Sequence, residues 1–120
     1  MKHLLYVLFM VIAINFEVQA AFIEGLEDFP IPDGLEQIEN ANLNFGNEDI
    51  RLVEVYMTSS SLDFAKVAQF YKDTLPQLGW KLNKSSDNSI KFEREGEMVE
   101  ITKEESNPLV VNLVLKSKKQ

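Results

Sequence analysis

The chain has 120 residues, no cysteine, 26% charged residues and a net charge of −7 at pH 7. This length holds one domain, and without disulfides its hydrophobic core alone must stabilise it. The acidic balance argues against nucleic acid and anionic membrane surfaces as partners, because both attract clustered lysine and arginine. The only histidine is His3, so the rest of the chain lacks the usual general base and the usual zinc ligands.

Residues 1–20 have the three parts of a secretory signal peptide. Lys2 and His3 form a positively charged n-region, and residues 4–14 are an unbroken apolar run. Val-Gln-Ala at 18–20 forms a cleavage site with small residues at positions −3 and −1. Eleven helical residues reach about 16 Å, whereas a bilayer core needs about 30 Å. We therefore predict a cleaved signal peptide, a periplasmic protein and no stable membrane insertion afterwards. A retained membrane anchor is the alternative.

Residues 21–41 form an acidic segment that contains proline and glycine. The run around Pro30 should be extended, and Pro32-Asp33-Gly34 predicts a turn. The segment also carries too many apolar side chains for a free tail, so we expect it to lie against the domain. That domain is predicted over residues 42–116, followed by a basic tail at 117–120.

Two strands are predicted before the helix. Leu43-Asn44-Phe45 is a short one that ends at Gly46, and residues 50–57 form a longer one. In the longer strand, Val53, Val55 and Met57 share one face by period-2 alternation.

An amphipathic helix follows. Ser60 and Asp63 predict a capping box at its start, Pro76 should tighten its last turn, and Gly79 is the natural left-handed terminator. Trp80, just beyond, is expected to be a core anchor, with a ligand platform as the alternative. The stripe that should pack on the sheet comprises Phe64, Val67, Ala68, Tyr71, Leu75 and Leu78. Phe70 lies outside this stripe, and we expect it to pack under the N-terminal segment.

The last part of the chain predicts a meander of four strands, at residues 80–82, 90–94, 97–103 and 109–115. A two-residue turn at Glu95-Gly96 would place Phe92 opposite Val99 and Ile90 opposite Ile101. The predicted fold class is therefore α+β, an antiparallel β-sheet with one amphipathic helix packed across one face, in the order β-β-α-β-β-β-β.

The run at residues 67–80 reads V-x-x-F-Y-x-x-x-L-P-x-L-G-W. Together with Leu43-Asn44-Phe45, the strand at 50–54 and the early Pro-Asp-Gly, it resembles a family of small exported alphaproteobacterial proteins of unknown function. The resemblance covers about residues 30–100. It implies a bacterial envelope protein and brings no activity with it.

Candidate catalytic groups are weak. Ser61 has no histidine to activate it, and Glu93 and Glu95 would be two apart at a solvated hairpin tip rather than in an apolar pocket. We therefore predict no catalytic residue, no cofactor and no metal site. An envelope hydrolase that uses Ser61 or Glu93 is the remote alternative, and a small-molecule or lipid carrier with a pocket between helix and sheet is another.

The outer face of the sheet is the strongest functional lead. A solvent-exposed face of a sheet normally carries polar side chains, whereas alternation here places several apolar residues among the charged ones. The predicted interaction surface consists of Ile50, Leu52, Tyr56, Met98, Val110 and Val114. Its expected partner is another envelope protein. The alternative is that residues 22–38 fold back and cover this face.

Overall fold

The computed structural model describes residues 21–23, 26–38, 43–46 and 51–117. One α-helix, α1 (Phe64–Thr74), continues directly into a short 3-10 helix, η1 (Leu75–Leu78). The strands are β1 (Ala21–Ile23), β2 (Leu26–Ile31), β3 (Glu36–Gln37), β4 (Leu43–Gly46), β5 (Arg51–Ser59), β6 (Lys81–Ser85), β7 (Ser89–Arg94), β8 (Glu97–Ser106) and β9 (Leu109–Ser117). The predicted α+β class, an antiparallel sheet with one helix across it, is confirmed. The short strands β1, β2 and β3 are additions to the predicted order.

The main sheet has the spatial order β3-β5-β9-β8-β7-β6, and β4 shares the outer edge of β5 with β3. All of its pairings are antiparallel. The chain leaves β5, crosses one face of the sheet through α1 and η1, and enters the opposite edge at β6. The meander β6-β7-β8-β9 then returns across the sheet until β9 pairs with β5.

The predicted strand registers are confirmed where the sequence specified them. In the β7–β8 hairpin, Phe92 lies opposite Val99, Ile90 opposite Ile101, and the turn is at Glu95-Gly96. Apolar side chains on one face and charged pairs on the other both favour this register, since a slip of one residue would exchange the faces. Strand β6 runs to Ser85, three residues further than predicted.

The helix begins at a different cap from the predicted one. Asp63 is itself the N-cap, and its carboxylate accepts a hydrogen bond from the Lys66 backbone N–H at 3.0 Å. The predicted capping box from Ser60 to Asp63 is wrong, because the chain makes a separate turn at these residues before the helix begins. The Ser59 hydroxyl accepts from the backbone N–H groups of Ser61 and Leu62 at 3.1 and 2.9 Å, which delays the first helical residue to Phe64.

The predicted end of the helix is confirmed. Gly79 has a φ of +93°, its N–H donates to the Pro76 carbonyl, and the Trp80 N–H donates to the Leu75 carbonyl at 3.0 Å. These two bonds are the Schellman pattern, which satisfies carbonyls that a helix end otherwise leaves unpaired. It also places Trp80 in the core, where it is 1% exposed.

Residues 21–38 pack on the same side of the sheet as the helix. Strands β1 and β2 form a separate antiparallel pair. The Phe29 ring meets the Trp80 ring edge-on with centroids 5.4 Å apart, and the Tyr71 hydroxyl donates to the Pro30 carbonyl at 2.8 Å. Further along, Gly34 lies beside Ser61 and Leu62. The segment and the helix therefore share one layer over the inner face.

The hydrophobic core is one cluster between this layer and the sheet. The segment 21–38 supplies Ile23, Leu26, Phe29 and Leu35. The helices supply Phe64, Val67, Ala68, Tyr71 and Leu75, and the sheet supplies Val53, Val55, Met57, Ile90, Phe92, Val99, Ile101, Leu109, Val111, Leu113 and Leu115, with Trp80 at their junction. Phe70 is half-buried against this cluster, in contact with Tyr71.

Candidate interaction surface

The outer face of the sheet follows from the same alternation that builds the core. Because successive side chains of a strand point to opposite faces, burying Val53, Val55 and Met57 turns Leu52, Glu54, Tyr56 and Thr58 outward. The registers align these with their neighbours on β9 and β8. Glu54 lies opposite Val114, which lies opposite Glu100, and Tyr56 lies opposite Asn112, which lies opposite Thr102.

Five of the six predicted surface residues lie within the described part of the chain and share this face. They are Leu52 and Tyr56 on β5, Met98 on β8, and Val110 and Val114 on β9, and all five are half-buried. The sixth, Ile50, falls outside the described residues. The structure thus brings together side chains that are up to 62 residues apart in the chain.

A polar cluster that the sequence did not indicate lies in the middle of this face. Asn112 is only 7% exposed, and its side-chain amide donates to Glu54 Oε2 at 2.9 Å. The Tyr56 hydroxyl donates to the same oxygen at 3.4 Å. Since a carboxylate that accepts two hydrogen bonds is held in place, Glu54 presents a fixed negative group between the apolar residues. Period-2 alternation along β9 predicts that Asn112 points to the outer face, but it does not predict that Asn112 is buried there.

The layer of α1, β1 and β2 does not lie on this face. The contacts that position residues 29, 30 and 34 are with Trp80, Tyr71 and the turn after β5, all on the inner side. Within the described ranges, no helix or strand forms a second layer over the outer face. The predicted alternative, in which residues 22–38 cover it, therefore finds no support in the residues that the structure places.

Three clefts open elsewhere on the described surface. One of about 450 Å³ is bounded by Gly79, Lys81 and the β7–β8 turn, and one of about 300 Å³ by Phe22, Pro30 and Leu78. The third, of about 370 Å³, lies between α1 and the β6–β7 turn. The helix–sheet interface itself is filled by fully buried side chains, including Val67 and Leu75, so the described residues leave no room there for the predicted pocket of a small-molecule carrier.

The side chains proposed for hydrolysis have structural partners. The Ser61 hydroxyl lies 3.4 Å from the Ser59 hydroxyl within the turn before α1. Glu93 accepts a hydrogen bond from the Asn83 amide at 3.0 Å on the outer side of the sheet edge. The two groups belong to different parts of the molecule and do not form a common site.

The described residues contain no group of three or more His, Cys, Asp or Glu side chains arranged to hold a metal ion. Among the same residues, no helix has the length and apolarity needed to cross a membrane.

Comparison with known proteins gave no match: no family model, no curated protein and no solved structure is similar to the chain.

Proposed function

We propose that the chain is an exported, non-catalytic interaction module of the bacterial envelope, and that its outer sheet face contacts another envelope protein. The observation that carries the proposal is the outer face itself. Leu52, Tyr56, Met98, Val110 and Val114 lie together on three adjacent strands, half-buried and without a second layer in the described part of the chain. Apolar groups that are grouped in this way on a sheet usually mark a contact surface.

The composition of this face is that of a reversible protein contact. Apolar side chains surround a hydrogen-bonded polar cluster of Glu54, Tyr56 and Asn112, and transient interfaces combine apolar area with fixed polar groups in this way. The fixed Glu54 carboxylate would give orientation, and the apolar neighbours would give affinity.

Export is supported by the sequence of residues 1–20, which has the three parts of a signal peptide. Cleavage after Ala20 would leave Ala21, a residue of β1, as the first residue of the mature chain. N-terminal sequencing of the protein from cells should give Ala-Phe-Ile. An intact Met1 would remove the export part of the proposal.

Site-specific photo-crosslinking tests the contact surface. A photoreactive residue at Val114 or Leu52, in the full chain expressed in its own host, should give one discrete heterologous crosslink in the envelope fraction. The same residue at Lys66, exposed on α1, is the matched control and should give none. The crosslinked protein should copurify in fixed stoichiometry, and Val114→Glu should abolish both the copurification and the crosslink from Leu52. A mature protein that stays monomeric and uncrosslinked from both positions would contradict the proposal.

A further inference from the structure

Strand β6 is an open edge of the main sheet. It pairs with β7 on one side, and no described strand pairs with its other side. All five of its residues are exposed, including Leu82, whose side chain is 48% exposed on the helix side of the strand. Half of the backbone N–H and C=O groups of an edge strand point away from its neighbour, so β6 offers a template for one more strand.

A groove opens at one end of this edge. It has a volume of about 370 Å³ and lies between one side of α1 and the β6–β7 turn, where it reaches Ser85 of β6. Its helical wall is formed by Phe64, Ala65, Ala68, Gln69 and Lys72. A strand added to β6 would have room near Ser85 for an inward side chain between the helix and the sheet edge.

The charges at this edge are opposite to those of the whole chain. Lys81 and Lys84 project from β6 on the outer side, and Lys72 lines the groove. None of these three lysines has an ion-pair partner within the described ranges. The acidic groups nearby are Glu93, opposite Lys81, Asp87 in the turn, and Asp73, which accepts a hydrogen bond from Gln69 of the groove. Strand β6 itself carries two lysines and no acidic residue, on a chain whose net charge is −7.

One like-charge contact favours an acidic occupant directly. Lys84 lies opposite Lys91 across the β6–β7 pair, and like charges in this position repel, although Lys91 also has Glu100 opposite it on β8. A carboxylate placed beside Lys84 would relieve that repulsion. A second copy of the chain would add to it instead, because antiparallel pairing of two β6 edges would bring Lys81 and Lys84 of each copy close to those of the other.

We propose that β6 accepts an extended acidic segment of a partner protein as an added strand, with alternating acidic and apolar side chains. The register shift between Leu82 and Lys84 places Lys81 and Lys84 on the same face of β6, and the acidic positions lie beside them. The apolar positions cover Leu82 and reach the groove at Ser85. Backbone hydrogen bonds supply affinity and the alternation supplies specificity, as in other cases of strand addition. This inference rests on the proposed function only in treating the chain as an interaction module, since it uses a different surface.

The test is a titration of the mature protein with a fluorescent peptide of about ten residues that alternates Glu and Val. We expect saturable binding that weakens as salt is added, with backbone amide shifts centred on β6 in the NMR spectrum. Three changes should each lower the affinity about tenfold or more: Lys81→Glu with Lys84→Glu, a peptide with Lys in place of Glu, and a peptide N-methylated at alternate amides. Lys116→Glu, an exposed site on β9, should change the affinity less than about twofold.

Each other result counts against the added strand. Binding that survives N-methylation would be simple charge attraction, shifts centred away from β6 would mean another site, and no saturation would mean no binding. The N-methylated peptide leaves the protein unaltered, so a folding defect cannot imitate its effect. Val114→Glu should leave peptide binding intact. If the otherwise unaltered chain gives no crosslink from Val114 or Leu52 but binds the peptide, the outer-face contact alone is removed. If it gives the crosslink but does not bind the peptide, the β6 inference alone is removed.

Discussion

Tyr71 joins the helix to the N-terminal segment through a single buried group. Its ring is fully buried, and its hydroxyl donates to the Pro30 carbonyl across 41 residues of chain. Burial raises the pKa of the Tyr71 hydroxyl well above its ordinary value of 10.0, because the charged phenolate would lose its water. The residue is therefore a neutral donor under all ordinary conditions.

Substituting Tyr71→Phe should lower the free energy of unfolding by about 1–2 kcal/mol at pH 7, since the Pro30 carbonyl loses its donor. Above about pH 10 the unfolded state ionises while the folded state keeps its proton, so wild-type stability should fall as the pH rises. Urea titrations at pH 7 and 10.5 should show the gap between wild type and variant narrowing. A gap that is constant with pH would contradict the burial of this hydroxyl.

Glu95 adopts a backbone conformation that costs stability. It has a φ of +44° and precedes Gly96 at +84° in the β7–β8 turn, a position that glycine and asparagine occupy with little strain. Glu95→Gly should raise the free energy of unfolding by about 0.5–1 kcal/mol. Glu95→Gln removes the charge but keeps the strain, so its thermal midpoint should match the wild type. Equal stabilisation by both variants would assign the effect to charge instead.

At the scale of one element, the two ends of α1 differ in how well the sequence predicts them. The exit is specified by Gly79, which alone tolerates the left-handed turn that the Schellman bonds require. The start is ambiguous, because residues 59–61 are all serine and Asp63 follows them. In the structure, the Ser59 hydroxyl accepts hydrogen bonds within a separate turn before the helix, so Asp63 becomes the N-cap. Ser59 is buried at the end of β5, and the local sequence does not predict that burial.

Asp63→Ala should lower the free energy of unfolding by about 0.5–2 kcal/mol, because the first turn of α1 loses its side-chain cap. Ser60→Ala is the matched variant. Ser60 is exposed and adjoins the same turn, yet its hydroxyl does not cap the helix, so its effect should stay within about 0.5 kcal/mol. Chemical denaturation of the two proteins side by side would distinguish Asp63 from Ser60 as the cap.

The strands that the sequence predicts best are those with local partners. The β7–β8 hairpin is closed by a two-residue turn, so its register follows from cross-strand pairs. Strands β2 and β3 are not predicted, for two different reasons. Pro30 within β2 and Pro32 just after it weaken the strand pattern, and β3 has only two residues, which pair with β5 about 20 residues later. Non-local pairing of this kind leaves no periodic signal in the sequence.

At the scale of the whole molecule, the sequence predicts which residues point outward, but it does not predict how the strands that carry them are arranged into one surface. Alternation placed Leu52, Met98 and Val114 outward, and the structure puts them on one face. The burial of Asn112 and the open β6 edge depend on the order of strands in the sheet, which the pattern of single strands does not determine. The side of the sheet taken by residues 21–38 likewise depends on where Trp80 and Tyr71 lie.

The segment 21–38 is part of the core, and this makes a prediction about the stability of the whole domain. Phe29 is fully buried against Trp80, so Phe29→Ala should lower the free energy of unfolding by about 3–5 kcal/mol. That is a large share of the roughly 5–15 kcal/mol that holds a domain together. Phe22→Ala is the control, because Phe22 is 48% exposed, and its loss should cost less than about 1 kcal/mol. Equal, small effects of the two substitutions in denaturant titrations would contradict the position of this segment in the core on the inner face of the sheet.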